Sequence, residues 1–330
     1  MNRVAAPPEL GAYVSTGGLP EAGRVRGLLE EAHALYESNA EGVNSAVYPA
    51  LRRVPSHLFG ICVVDTRGTA TAVGDADHEF AIMSVSKPFV FALVCELVGP
   101  VQAHHLLGVN ATGLPFNSLE AVERGDGRTN PMVNAGAIAT TSLIPGADAN
   151  EKWSFLLDGV SRFAGRQLGI EEEIYASAVA TNFRNRSIAA LLQSYGRLYC
   201  DPADAVDLYT RQSALRVTAR DLAVMGATLA DGGVNPLTGE TVVDPQVTHY
   251  VLATMLTAGM YETSGDWLYH VGLPAKSGIG GGIVTVSPGK GGMGTFAPPL
   301  DAAGNSVKGQ LVARHLSASL GMDLLMSRPT

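Results

Sequence analysis

The spacing of apolar positions changes character twice along the chain. From about residue 20 to 38, Val25, Leu28, Leu29, His33, Leu35 and Tyr36 recur every three or four positions and predict an amphipathic helix. Phe59-Gly-Ile-Cys-Val-Val-Asp65 is a continuous apolar run of strand length. Residues 69–73 return after the turn Thr66-Arg67-Gly68, so the pair predicts a β-hairpin. Residues 80–87 lead into an apolar helix over 89–98, closed by Gly99-Pro100. Between about 85 and 255 the helical period dominates, at 153–163, 185–198, 202–210 and 218–229. Thr218-Ala-Arg-Asp221 has the form of a capping box, and Asp231-Gly-Gly233 that of a helix stop. Beyond Tyr261, short glycine-punctuated strands are predicted at 272–277, 283–287 and 293–296, followed by a last helix over 307–320.

Strands at both ends with helices between them predict an α/β fold of the α+β type. An antiparallel sheet is assembled from the two ends of the chain, flanked by helices and carrying an inserted all-helical subdomain. The expected organisation is a flexible lead at 1–18, an α/β subdomain from 19–84 and 256–325, and a mainly helical subdomain at 85–255. Together these form one domain. No internal repeat and no low-complexity tract occurs in the sequence.

Composition narrows the function. Of 330 residues, 46% are hydrophobic and 16% charged, enough to bury a sizeable core. A net charge of −8, a pI near 5.5 and the lack of any Lys/Arg cluster argue against nucleic acid or an acidic membrane surface as partner. No window approaches the roughly 18 apolar residues of a membrane span. The start, with its prolines and glycines, lacks the apolar stretch of a signal peptide. Cys62, Cys95 and Cys200 are scattered without a C-x-x-C, which suggests reduced thiols and a cytoplasmic location. The eight histidines show no ligand spacing, so neither a metal nor a cofactor is expected.

The candidate chemistry begins at Ser84-Val85-Ser86-Lys87. Three residues apart at a helix start, the hydroxyl and the amine share a face, so the amine can reach the hydroxyl. A serine needs a neighbour to take its proton, and lysine can do so only if burial or a second cation lowers its pKa. Alone, S-x-x-K also fits a capping serine followed by a surface lysine. Lys276-Ser277-Gly278, running into Ile279-Gly-Gly-Gly282, fits a glycine-rich hairpin or, less well, a dinucleotide loop. Found in this order, the two motifs resemble the S-x-x-K and K-T-G of class A β-lactamases and penicillin-binding proteins. They point to a serine hydrolase or acyl transferase.

Longer stretches are more specific. Asn130-Pro-Met-Val-Asn-Ala-Gly-Ala137, Ala230-Asp-Gly-Gly233, His270-Val-Gly-Leu-Pro-Ala-Lys-Ser-Gly278 and Asp301-Ala-Ala-Gly-Asn-Ser-Val-Lys-Gly309 resemble the serine-dependent glutaminase family, over roughly residues 20–320. The resemblance implies a β-lactamase-like fold and hydrolysis of L-glutamine to glutamate and ammonia. It also implies a homodimer or homotetramer. It makes Ser84 the nucleophile and Lys87 its activator, with Tyr48 and Tyr261 as active-site tyrosines. Asn134, Asn185, Tyr209 and Tyr261 become substrate contacts, and the Ile279 N–H joins that of Ser84 around the oxyanion. Two positions depart from the family pattern: Met83 replaces a glutamine, and Ala178 replaces a glutamate that pairs with the substrate α-ammonium. Glu171, Glu172 or Glu173 could compensate. Two other functions fit the motifs, a β-lactamase-like or esterase-like hydrolase and a weakly active amino-acid-binding protein.

Overall fold

The computed structural model describes residues 17–327. The lead expected at 1–18 therefore lies outside the described residues, Gly17 and Gly18 apart. The strands are β1 (Gly60–Asp65), β2 (Ala70–Gly74), β3 (Phe80–Ala81), β4 (Gly169–Ile170), β5 (Leu215–Val217), β6 (Ala275–Ser277), β7 (Gly282–Ser287) and β8 (Gly291–Phe296). Five form one antiparallel sheet in the order β2-β1-β8-β7-β6, and three short ones form a second in the order β3-β5-β4. β1, from the first quarter of the chain, pairs directly with β8 near its end, Gly60 opposite Phe296 and Asp65 opposite Gly291. The expected mixed fold, its sheet built from both ends of the chain, is the fold observed.

β1 is buried at every position because the large sheet is covered on both faces. Ile61 and Val63 enter one core with Val25 and Leu29 of the helix Ala22–Tyr36 and with Val312 and Leu316 of the helix Val307–Ser319. Cys62 and Val64 enter the other, with Leu222, Ala223 and Ala227 of the helix Ala219–Ala230. An antiparallel strand wet on one face alternates apolar with polar; this one has no wet face and reads as an unbroken apolar run.

The helix Ala219–Ala230 lies unusually close to the sheet, and glycine makes this possible. A Cβ at Gly294 would collide with the Ala219 carbonyl oxygen, and one at Gly292 with that of Ala223. The helix starts at the expected capping box, in which Thr218 Oγ1 accepts from the Asp221 N–H and Asp221 Oδ2 accepts from the Thr218 N–H.

Some boundaries differ from the sequence reading. Gly272, expected to open a strand, instead ends the helix Ser264–Val271 in the left-handed region at φ +69°, and β6 begins at Ala275. A glycine just past a helix end needs no Cβ accommodation there. The helix Asn134–Ser142 is buried at all nine positions, so it has no polar face and leaves no helical period in the sequence. Among the described residues no single helix is long and apolar enough to cross a membrane.

Gly294→Val is expected to cost about 3 kcal/mol or more by forcing the helix off the sheet. Gly265→Ala, on a helix and in open space, is expected to gain up to about 1 kcal/mol. Urea denaturation of the two variants checks both values.

Candidate active site

The short strand β3 delivers the chain to a tight turn. Ile82 donates its N–H to the Leu215 carbonyl, and a 3-10 turn over Met83–Ser86 runs straight into the helix Lys87–Val98. Met83 sits at φ +50°, a conformation costly for any residue but glycine, and one that recurs at functional sites. The turn is braced from within: Ser86 Oγ donates to the Met83 carbonyl, Gln212 Nε2 donates to Ser86 Oγ, and Thr141 Oγ1 donates to Gln212 Oε1. Pro88 falls in the first helical turn, where no N–H partner is lost.

This turn aims Ser84 at Lys87. The lysine Nζ donates to Ser84 Oγ at 2.6 Å and to Asn134 Oδ1 at 3.0 Å. Lys87 is 1% exposed, with no carboxylate bonded to its amine. Burial therefore drives its pKa from the ordinary 10.5 down to about 7, leaving a large neutral fraction at neutral pH. Asn134, at the start of its helix, organises the surroundings. Its Oδ1 also accepts from the Tyr209 hydroxyl at 3.0 Å, and its Nδ2 donates to Asn185 Oδ1 at 3.0 Å.

The opposite wall comes from the end of the chain. Lys276, Ser277 and Gly278 occupy and follow the edge strand β6. A Cβ on Gly278 would stand 2.9 Å from the Ile82 carbonyl oxygen and 3.2 Å from the Ser84 nitrogen, so only glycine lets these two backbones meet. The Lys276 amine donates to the carbonyls of Gly259 (2.8 Å) and Ser277 (2.7 Å) and lies 4.1 Å from the centre of the Tyr261 ring. Burial, with the nearby Lys87 amine, holds its pKa well below the ordinary lysine value. Tyr261 itself sits at φ +56°, and its hydroxyl donates to the Ser277 carbonyl at 3.2 Å. Its phenol pKa is raised by burial, with the Ser84 hydroxyl opposing the shift. Burial raises Tyr209 as well, and brings Tyr48 to about 12 against the opposing effect of Asn185.

Ser84, Asn134, Asn185, Tyr209, Tyr48 and Ile279 line one pocket, and Lys87 closes its floor through Ser84 and Asn134. Among the described residues the Ile279 N–H has no backbone acceptor. Sequence reasoning missed several walls: Phe116, whose ring lies 4.7 Å from that of Tyr261, and Asn117, Thr181, Asn182 and Arg184. Phe116 and Asn117 belong to a non-helical loop, and the Phe116 carbonyl accepts from the Asn134 N–H at 2.8 Å. Met83 also lines the pocket. Ala178 is buried one helical turn from Thr181, whereas Glu171 and Glu173 line a separate pocket beside Arg53 and Phe80. No group of His, Cys, Asp and Glu capable of holding a metal ion occurs among the described residues. A larger apolar cavity of about 480 Å³, beside Phe91, Val101 and Tyr250, has no lysine, carboxylate, serine or cysteine in its walls. It offers no such chemistry.

Known proteins place the chain as a whole. The profile of the glutaminase family matches residues 42–325. A curated protein of Yersinia pestis, Glutaminase 2, is 67% identical over 318 residues, covering 96% of this chain and 94% of its own length. A Glutaminase of Brucella canis is 48% identical over 305 residues, with 92% and 96% covered. Among solved structures, a probable glutaminase, ybaS, superposes with a TM-score of 0.92 at 43% identity, over 93% of this chain and all of its own. Mglu, solved in a glutamate form, superposes at 0.88 with 36% identity, over 92% and 70%. These glutaminases share the β-lactamase-like fold. From the profile, the curated relatives and the shared fold together, the chain belongs to the glutaminase family.

Proposed function

We propose that this protein hydrolyses the side-chain amide of L-glutamine to glutamate and ammonia through a Ser84 acyl-enzyme. Family membership supports the reaction, and the solved Mglu was captured in a glutamate form, the product of such a reaction. One observation carries the mechanism: the buried Lys87 amine, its pKa near 7, stands 2.6 Å from the Ser84 hydroxyl.

Neutral Lys87 takes the Ser84 proton as Oγ bonds to the amide carbon. The Ser84 and Ile279 N–H groups receive the oxyanion. The proton held on Lys87 passes to the amide nitrogen, the C–N bond breaks and ammonia leaves. Water then attacks the ester, giving a proton to the neutral amine; the amine passes it to the Ser84 oxygen as the C–O bond breaks and glutamate leaves. Tyr261 fits the relay better than Tyr48, because its phenol interacts with Ser84 whereas that of Tyr48 interacts with Asn185. Asn134, Asn185 and Tyr209 orient the substrate.

A reducing, cytoplasmic setting is supported by three free cysteines, of which Cys62 and Cys95 are buried. A homodimer or homotetramer is supported by the exposed apolar side chains Val101 and Tyr250 at the mouth of the 480 Å³ cavity.

Ser84→Ala is expected to abolish ammonia release while leaving the melting temperature within a few degrees of the parent; a coupled ammonia assay beside thermal denaturation reads both. The pH dependence of kcat/KM is expected to rise through an acid limb near 7, because only deprotonated Lys87 can accept the serine proton. Lys87→Met is expected to abolish turnover and to raise stability at pH 7 by about 1–3 kcal/mol. The sign follows from linkage. The unfolded lysine binds a proton that the folded one has lost between about 7 and 10.5, so the parent's penalty is full below pH 7 and fades as pH rises through that window. The stabilisation by methionine should therefore shrink from pH 7 to pH 10, as denaturant melts at the two pH values would record.

A further inference from the structure

Free glutamine presents two opposite charges at its α-carbon, and a desolvating pocket that selects it needs a partner for each. The pocket beside Ser84 offers only one of them. Arg184 donates Nε to the Asn117 carbonyl at 2.9 Å, leaving its terminal nitrogens for a carboxylate. No Asp or Glu lines the walls. Of the acids on neighbouring elements, Glu173 pairs with Arg53 and Asp207 with both Tyr175 and Arg211. Glu171 lines the separate pocket beside Phe80, and Glu172 is exposed at its helix start outside the pocket lining. The exposed part of the wall is mixed, with Thr181 and Arg184 beside one apolar side chain. That side chain, Val47, is 52% exposed.

We infer that the site prefers L-glutamine whose α-nitrogen is acylated, its α-carboxylate on Arg184 and its apolar acyl group against Val47. The inference rests on the glutaminase reading and refines its substrate. An α-amide carries no charge to strip of water, and its substituent covers an apolar side chain that free glutamine would leave wet. The bond chemistry is that proposed for glutamine: the C–N bond of the terminal amide breaks, and the α-amide stays intact.

Ammonia release by the full-length protein from L-glutamine, N-acetyl-L-glutamine and N-phenylacetyl-L-glutamine tests this. The acylated substrates are expected to show kcat/KM at least about tenfold above that of glutamine, the scale of one charged hydrogen bond. The phenylacetyl compound should lead, and Val47→Ser should erase its lead over the acetyl one. Thr181→Glu, which brings a carboxylate to the exposed edge of the pocket, should move the ratio about tenfold toward free glutamine, with melting temperature confirming the fold. Glutamine turned over as well as or better than its acylated forms would overturn the inference and leave the glutaminase reading standing; an unmoved ratio in Thr181→Glu would also count against it. No ammonia from any of the three would sink both.

Discussion

Everything at the candidate site depends on keeping one amine dry. Lys87 has no carboxylate beside it, so nothing offsets the cost of charging it in the protein interior, and its pKa falls into the range where it can exchange a proton with a hydroxyl. Water admitted at this point would return the amine to its ordinary value and leave Ser84 an unactivated alcohol. The packing around it can be read as serving that exclusion. Asn134 and Ser84 satisfy the amine with neutral acceptors, the Tyr209 ring lies 5.5 Å from it, and the Lys276–Gly278 backbone closes over the turn.

Backbone geometry supplies the rest. Met83 and Tyr261 both hold left-handed conformations, and both stand where two segments converge on Ser84. The cost of these conformations is met by surrounding bonds, from Ser86 and Gln212 at the first and from Ser264 at the second. Ser264 Oγ donates to the Tyr261 carbonyl and accepts from the Met260 N–H. Glycines 278, 292 and 294 allow main chains to approach where any side chain would hold them apart. The site is thus positioned by close contact between backbones more than by a web of charged side chains.

How much of this was legible beforehand depended on the kind of signal. β1 and the capping box at Thr218 could be read because local rules govern them. Ser84 and Lys87 could be paired because three residues of helical geometry bring them together. The helix Asn134–Ser142 could not be read from period, being buried all round. Tyr48, Asn185, Tyr209 and Tyr261 are ordinary residues in ordinary contexts, and only family resemblance singled them out. The pocket walls at Phe116, Thr181 and Arg184 come from a loop and two helices that meet only after folding, so no spacing in the sequence could announce them. The same holds for the acids at 171 and 173, whose separation from the pocket is a fact of three dimensions.

The pairing of β1 with β8 has a consequence for biosynthesis. β1 finds its second neighbour some 230 positions later, and β6, which roofs the nucleophile, also emerges late. The central sheet therefore cannot close until the chain has been made as far as Phe296. Such long-range pairing slows folding and leaves the apolar edge of β1 uncovered during translation, a natural substrate for chaperones. Hydrolytic power arrives only once β6, β7 and β8 have joined the sheet.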